Sequence, residues 1–229
     1  MKRVLTRRGV RLIEGGAVIS EILSVPGPTD SVFDVLAAAV VVLHGGPRLA
    51  LLGFAGGGVV APLRAMGFNG ALDVVDLDDR GERIFRSVSG AWRGPVSFEL
   101  GEASEWLRSK RGKFDSIIED LSVVGPRGVT KPDVSVRALP RLVKSRLNPR
   151  GVAVFNLLPV KGWTWPELVE SVGGPFRERR IVSFTEFENR VLVAGRTLPS
   201  ARQLSVALRE ALGAIGSKIA DGIAVRTSV

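Results

Sequence analysis

The chain predicts a doubly wound α/β fold: a seven-stranded sheet ending in an antiparallel hairpin, preceded by a small N-terminal β-hairpin. Three observations carry this reading. Short apolar runs bounded by breakers recur at residues 49–53, 72–77, 96–100, 114–121 and 152–158. Runs without polar alternation belong to strands covered on both faces. Helix-length segments separate them, and that alternation folds as βα units on a largely parallel sheet. Runs 180–187 and 191–196, by contrast, are separated only by Glu188, Asn189 and Arg190. That connection is too short for a crossover and makes the last two strands an antiparallel pair.

The remaining elements follow in order. Residues 10–14 and 17–23 flank Gly15-Gly16, a hairpin signal. Pro26, Gly27 and Pro28 break the chain, and Thr29 or Asp30 is placed to cap a helix running to about His44, itself a C-terminal capping residue before Gly45, Gly46 and Pro47. Helices are expected over 59–66, 79–88, 103–109, 134–147 and 166–172, with Asp78 capping the second and a Gly/Pro loop over 125–132. Leu204, Leu208, Leu212 and Ile215 give residues 201–219 one apolar helical face. The organisation predicted is an N-terminal extension over 1–28, a ligand-binding α/β domain over 29–198, and a C-terminal helix and tail over 199–229.

Composition removes several chemistries. The 229 residues include no cysteine and a single histidine. Disulfides, thiolate metal sites, cysteine nucleophiles and multi-histidine metal sites are therefore excluded, and no metal is expected. The longest apolar run, 32–43, is broken by Asp34 and too short to span a bilayer. With no secretory signal, a cytoplasmic protein without membrane association is expected. The net charge of +9 suits an acidic acceptor, nucleic acid among them, although the basic residues are scattered and no aromatic-interleaved basic strand occurs.

Ligands of open α/β sheets lie beyond the carboxyl ends of the strands. Those ends carry Gly53, Phe54, Ala55, Gly56, Gly57 and Gly58; Asp76, Leu77 and Asp78; Gly101, Glu102 and Ala103; Glu119 and Asp120; and Asn156. Asp76 stands 23 residues after Gly53, about the spacing at which an acid meets ribose hydroxyls. The glycine loop has neither the lysine of a P-loop nor the spacing of a dinucleotide fingerprint. Acids after three successive strands would repel a pyrophosphate and suit a cation with free hydroxyls. S-adenosylmethionine, a sulfonium, has that chemistry.

From residue 9 to about 196 the chain resembles the spermidine synthase-like branch of the class I S-adenosylmethionine-dependent methyltransferases, whose sheet is Rossmann-like. The resemblance rests on the hairpin, the 51–58 loop, residues 75–78, residues 101–103 and the stretch 114–126. It implies a site for S-adenosylmethionine or its decarboxylated form built from Gly53, Phe54, Ala55, Gly56, Gly57, Asp76, Leu77, Glu102, Ala103 and Asp120. In that pattern Asp76 holds the ribose, Glu102 and Ala103 lie by the adenine, and Asp120 accepts a proton at the reacting centre. The resemblance also implies a homodimer. Three departures bear on the reaction: Gly56 stands where aminopropyltransferases carry an acid, Ser122, Val123 and Val124 replace a second acid and proline, and the chain has no tyrosine. Methyl transfer to a small-molecule or acidic macromolecular acceptor is the expected reaction, with aminopropyl transfer and a non-catalytic nucleoside-binding homologue as alternatives. Trp163 and Trp165 either shape an acceptor pocket or cover a loop.

Overall fold

The computed structural model describes residues 1–43, 46–125 and 128–228; His44, assigned to a helix cap above, and Gly45 lie outside them. The chain opens with β1 (Lys2–Thr6), β2 (Gly9–Glu14) and β3 (Ala17–Leu23), an antiparallel three-stranded sheet. The expected hairpin is its second half, turning through Gly15 and Gly16 at positive φ. Then come α1 (Val32–Leu43), β4 (Leu49–Leu52), α2 (Val60–Ala65), β5 (Leu72–Asp76), α3 (Arg80–Ser89) with a short 3-10 turn, β6 (Val96–Leu100) and α4 (Ala103–Ser109). After β7 (Phe114–Glu119) a two-stranded flap is formed by β8 (Val123–Gly125) and β9 (Gly128–Thr130). The chain continues through α5 (Asp133–Arg137), α6 (Leu139–Arg146), β10 (Leu147–Leu157), α7 (Trp165–Gly173), β11 (Glu178–Phe184), β12 (Arg190–Gly195), α8 (Ala201–Ala214) and β13 (Ile223–Thr227).

The main sheet runs β13-β11-β12-β10-β7-β4-β5-β6, parallel from β10 to β6 and antiparallel through the terminal hairpin. The fold class is the one expected, with eight strands instead of seven. The extra strand comes from the chain end, where β13 pairs with β11 from Arg180↔Thr227 to Phe184↔Ile223. It covers the backbone groups that an edge strand would otherwise leave unpaired.

The parallel strands read as unbroken apolar runs because both faces are buried. Leu49 and Leu51 face one core with α1, α2 and α8, while Ala50 and Leu52 face the other with α4, α6 and α7. At roughly 2 kcal/mol for each buried aliphatic side chain, these alternating contacts hold the strand ends, and the loops they carry, in fixed register. The helix expected over 134–147 is two helices, with the chain turning near Ala138 before Pro140. Among the described residues no helix is long and apolar enough to cross a membrane.

Neither Thr29 nor Asp30 caps α1 as expected. The bonds run the other way. Asp34, fully buried in the first turn, accepts from the Thr29 amide at 2.8 Å, the Thr29 hydroxyl at 2.7 Å and the Asp30 amide at 3.0 Å. It also accepts from the Ser217 hydroxyl at 2.6 Å, tying the end of α8 to the start of α1. Burial raises its carboxyl above the ordinary value, against the lowering effect of these donors. Asp34→Ala orphans these buried donors and is expected to destabilise the fold by about 3 kcal/mol, against about 1 kcal/mol for Ser217→Ala, in urea unfolding.

Candidate functional site

The chain order of the sheet reverses at β4, with β5 and β6 on one side and β7 on the other. Crevices form at such switch points, beyond the carboxyl ends of the strands. A cleft of about 500 Å³ lies there. The end of β4 supplies Gly53 and Ala55, and β5 supplies Asp76, Leu77 and Asp78. The loop after β6 supplies Gly101, Glu102 and Ala103, and β7 leads into Asp120. Glu14 and Ile19 come from the N-terminal sheet, and Val123 and Val124 from the flap. Val124 reaches across to the Gly15 turn, so flap and hairpin together wall the opening.

Seven of the ten expected contact residues line this cleft. Phe54, Gly56 and Gly57 do not. The Phe54 side chain is buried, packed edge-on against Phe85 with ring centroids 5.2 Å apart. A Cβ on Gly56 would strike Leu12 and Ile22 of the N-terminal sheet, and one on Gly57 would strike the Phe54 ring. These glycines let the loop pack against its own fold. A side chain at position 56 would have to push aside the ends of Leu12 and Ile22 and would start out toward the N-terminal sheet.

Asp76 organises the loop. Its Oδ2 accepts from the amides of Phe54 at 2.6 Å and Ala55 at 2.8 Å, and its Oδ1 from the amide of Asp78 at 3.0 Å. Asp76 lines the cleft, and its Oδ1 carries a single bond and keeps acceptor capacity. Ala55 sits at φ +49°, a left-handed conformation that costs an L-residue about 1–2 kcal/mol. Two charge-assisted bonds from one carboxylate oxygen offset that cost.

The other acids differ in how far they are committed. Glu102 is the N-cap of α4, its Oε2 accepting from the Glu105 amide at 2.8 Å. Burial pushes its carboxyl up, but the amides of Ser104 and Glu105, the Ser104 hydroxyl and Arg108 outweigh this and hold it below the ordinary value. Asp78 is not the cap residue of α3, which Asp79 occupies; it accepts from the Arg80 amide at 2.9 Å and pairs with the Arg80 guanidinium, which keeps it ionised. Glu119, with 1% of its side chain exposed, is locked by Lys131 at 2.7 Å and by the Ser135 hydroxyl at 2.9 Å.

Asp120 is the exception. Its carboxylate meets the Asn156 amide at 2.6 Å, and the Asn156 carbonyl accepts from Asn189 at 2.9 Å. Burial pushes the Asp120 carboxyl up to about 6. Asn156 and Lys131 oppose the rise, and Glu119 and Asp76 add to it. A carboxyl of that kind exchanges protons near neutrality. Sequence reasoning did not single out Lys131, Glu14 or the role of Asn189. The only signal for Asn189 was its place in the hairpin turn opposite the end of β10. Trp163 and Trp165 lie outside the cleft lining, with Arg137 and Arg190 over their rings at 5.2 and 4.3 Å. Among the described residues no group of three or more His, Cys, Asp or Glu is placed to hold a metal ion.

Solved structures share this architecture. Human methyltransferase-like protein 13, in complex with SAH, superposes with a TM-score of 0.63 at 18% identity, over 79% of this chain and 91% of that one. A spermidine synthase in complex with the transition-state analogue AdoDATO gives 0.63 at 14% identity, over 84% and 68%. Spermidine synthase from Thermotoga maritima gives 0.61 at 14% identity, over 84% and 67%. At these identities the likeness establishes the fold. No family model and no curated protein matches the sequence.

Two stability measurements test the site. Asp76→Asn removes the charge and sets an amide against the loop donors; a loss of about 2 kcal/mol is expected in urea unfolding. For Asp120 the raised carboxyl means that the folded state holds a proton which the unfolded chain has released between about pH 4 and 6. The stability contribution is full below the unfolded value near 4 and is lost as pH rises through about 6. Asp120→Asn is therefore expected to exceed the wild type by about 1–2 kcal/mol at pH 8, with the difference vanishing at pH 4.

Proposed function

We propose that the chain is a transferase that binds S-adenosylmethionine or its decarboxylated form, with methyl transfer to an amine as its first reaction. One observation carries the reading. Among the described residues the cleft at the switch point is lined by Glu14, Asp76, Asp78, Glu102 and Asp120 and by no lysine or arginine side chain, with the Met1 amino group and Arg80 paired to Glu14 and Asp78 at its edge, in a chain of net charge +9. Such a lining selects a cation and rejects phosphates. Solved structures of the same fold hold SAH and AdoDATO, which supports an adenosyl ligand.

The donor set fits such a ligand. Asp76 Oδ1 offers an acceptor for ribose hydroxyls, Leu77 and Ala103 offer apolar surface for a flat ring, and Asp120 lines the same cleft with its carboxylate fixed by Asn156. When bound, the sulfonium supplies an activated carbon whose transfer releases a neutral thioether. The chain's part is to align the acceptor, exclude water behind the flap and take the amine proton on Asp120. The missing tyrosines and the inward-packed Gly56 favour methyl over aminopropyl transfer.

Calorimetry with S-adenosylmethionine, its decarboxylated form and methylthioadenosine tests this. Both cations are expected to bind at least tenfold more tightly than the neutral thioether. Affinity for them should rise about three- to tenfold as pH increases through about 6, because Asp120 becomes anionic. Asp120→Asn should abolish that pH dependence. Preference for the decarboxylated form would move the reading to aminopropyl transfer. Binding of none of the three would overturn it and leave a non-catalytic module.

A further inference from the structure

We infer that the end of the sheet opposite the acidic cleft is a docking surface for the phosphodiester backbone of a nucleic acid. The register places it. Phe114 pairs with Leu147, and past a bulge in β10 Val152 pairs with Gly195 and Gly195 with Glu178, so the ends of β7, β10, β12 and β11 farthest from the cleft lie side by side. Cations flank these ends on every strand. Arg111 and Lys113 precede β7; Lys144 and Arg150 lie on either side of the first residues of β10; Arg177 precedes β11; Arg196 follows β12. All six are exposed, and among the described residues none makes an ion pair with a carboxylate.

Lys144, Arg177 and Arg196 share a groove of about 360 Å³ that no acid lines. Lys144 is held beside Arg177 by its bond to the Pro175 carbonyl. The acids at this end are engaged: Asp115 accepts from the Arg48 amide at 3.0 Å and from Asn148 at 2.6 Å, Asp73 lies 3.9 Å from the Arg48 guanidinium, and Glu178 accepts from the Leu198 amide at 3.1 Å and pairs with Arg180 at 3.2 Å. Arginines predominate in the row, and a guanidinium fork matches phosphate oxygens two at a time.

The occupant follows from what the surface lacks. Protein interfaces have an apolar core, and the exposed large apolar side chains Leu5, Val18, Val25, Leu77, Leu100 and Val206 all lie elsewhere. Leu147 and Phe176, which also line the groove, are buried, so the exposed side chains are mainly cations and suit a partner that presents charge in repeat. Four strands about 4.8 Å apart make a row roughly 15 Å wide, enough for about four phosphates of one strand. The shared chemistry is the phosphodiester backbone, in RNA or DNA.

Fluorescence anisotropy with labelled 20-nucleotide single-stranded RNA, single-stranded DNA and duplex DNA tests this on the intact chain. Binding to at least one is expected, with log affinity falling against log salt at a slope near −3 for a single strand. Triple reversal Lys144→Glu, Arg177→Glu, Arg196→Glu should weaken it at least tenfold and reduce the slope by about 2. The control triple Lys2→Glu, Arg3→Glu, Arg7→Glu changes net charge equally on the N-terminal sheet and should alter affinity less than threefold. Unchanged thermal unfolding of both triples excludes misfolding as the cause. Equal losses in the two triples, no binding to any of the three probes, or tighter binding to phosphatidylserine vesicles than to any nucleic acid would overturn the proposal. None of these readouts depends on an adenosyl ligand.

Discussion

The Asp76 carboxylate is the contact on which the rest of the cleft depends. Its two oxygens gather three backbone amides from two different strand ends. Without an anion there, the turn after β4 would point its N–H groups at one another's dipoles with nothing to accept them. The turn is tight in other ways. Gly53 sits at φ +86°, where a Cβ would come within 2.7 Å of the Asp120 carbonyl. Gly81 of α3 packs so closely on the Ala55 carbonyl that no side chain could replace it. The Gly58 amide donates to Ser20 of the N-terminal sheet at 3.0 Å. Loop, helix and small sheet therefore share one anchor, and that anchor is an acid at the end of β5.

That arrangement changes how the acidic cleft is understood. Five carboxylates line it, but their charge is distributed unequally. Asp76 is held by amides, Glu102 by the start of α4, and Asp78 by Arg80. The buried Glu119, next to Asp120 in sequence, is neutralised by Lys131 behind the wall. Asp120 lines the cleft with the side-chain amide of Asn156 as its hydrogen-bond partner. Removal from water is what raises its carboxyl, and the Asn156–Asn189 chain fixes its direction without supplying a countercharge. A group so placed can change protonation state while its neighbours remain fixed, which a proton acceptor requires.

The five parallel strands and the terminal hairpin were legible because burial on both faces writes a continuous apolar run into the sequence. Seven of the ten proposed contact residues fall on the cleft for the same reason: strand ends locate them. What sequence could not give was direction. Asp76 was correctly placed at a strand end, yet nothing in its spacing says that its oxygens turn toward the loop. Phe54, Gly56 and Gly57 adjoin the cleft in sequence but pack inward, Phe54 on Phe85, Gly56 on Leu12 and Ile22, and Gly57 on the Phe54 ring. The eighth strand was missed because Ile223–Thr227 is short and half polar. Its strand character comes from the unpaired edge of β11, a tertiary fact. Asp34 reads as an interruption in an apolar helix, and only the fold brings Ser217 to it.

Net charge was the least useful number the sequence offered for ligand choice. The chain carries +9 overall, which taken alone argues against a cationic ligand. The field at a site is set instead by charges within a screening length, about 8 Å at physiological ionic strength. β7 spans six residues, Phe114–Glu119, or roughly 20 Å from the basic end of the sheet to the acidic cleft. The two ends are thus electrostatically separate surfaces on one rigid sheet. A cation entering the cleft meets Asp76 and Asp120, and the arginines at the far end are largely screened from it. The excess positive charge has to be accounted for where it is exposed and unpaired, and the end row of β7, β10, β12 and β11 is such a place.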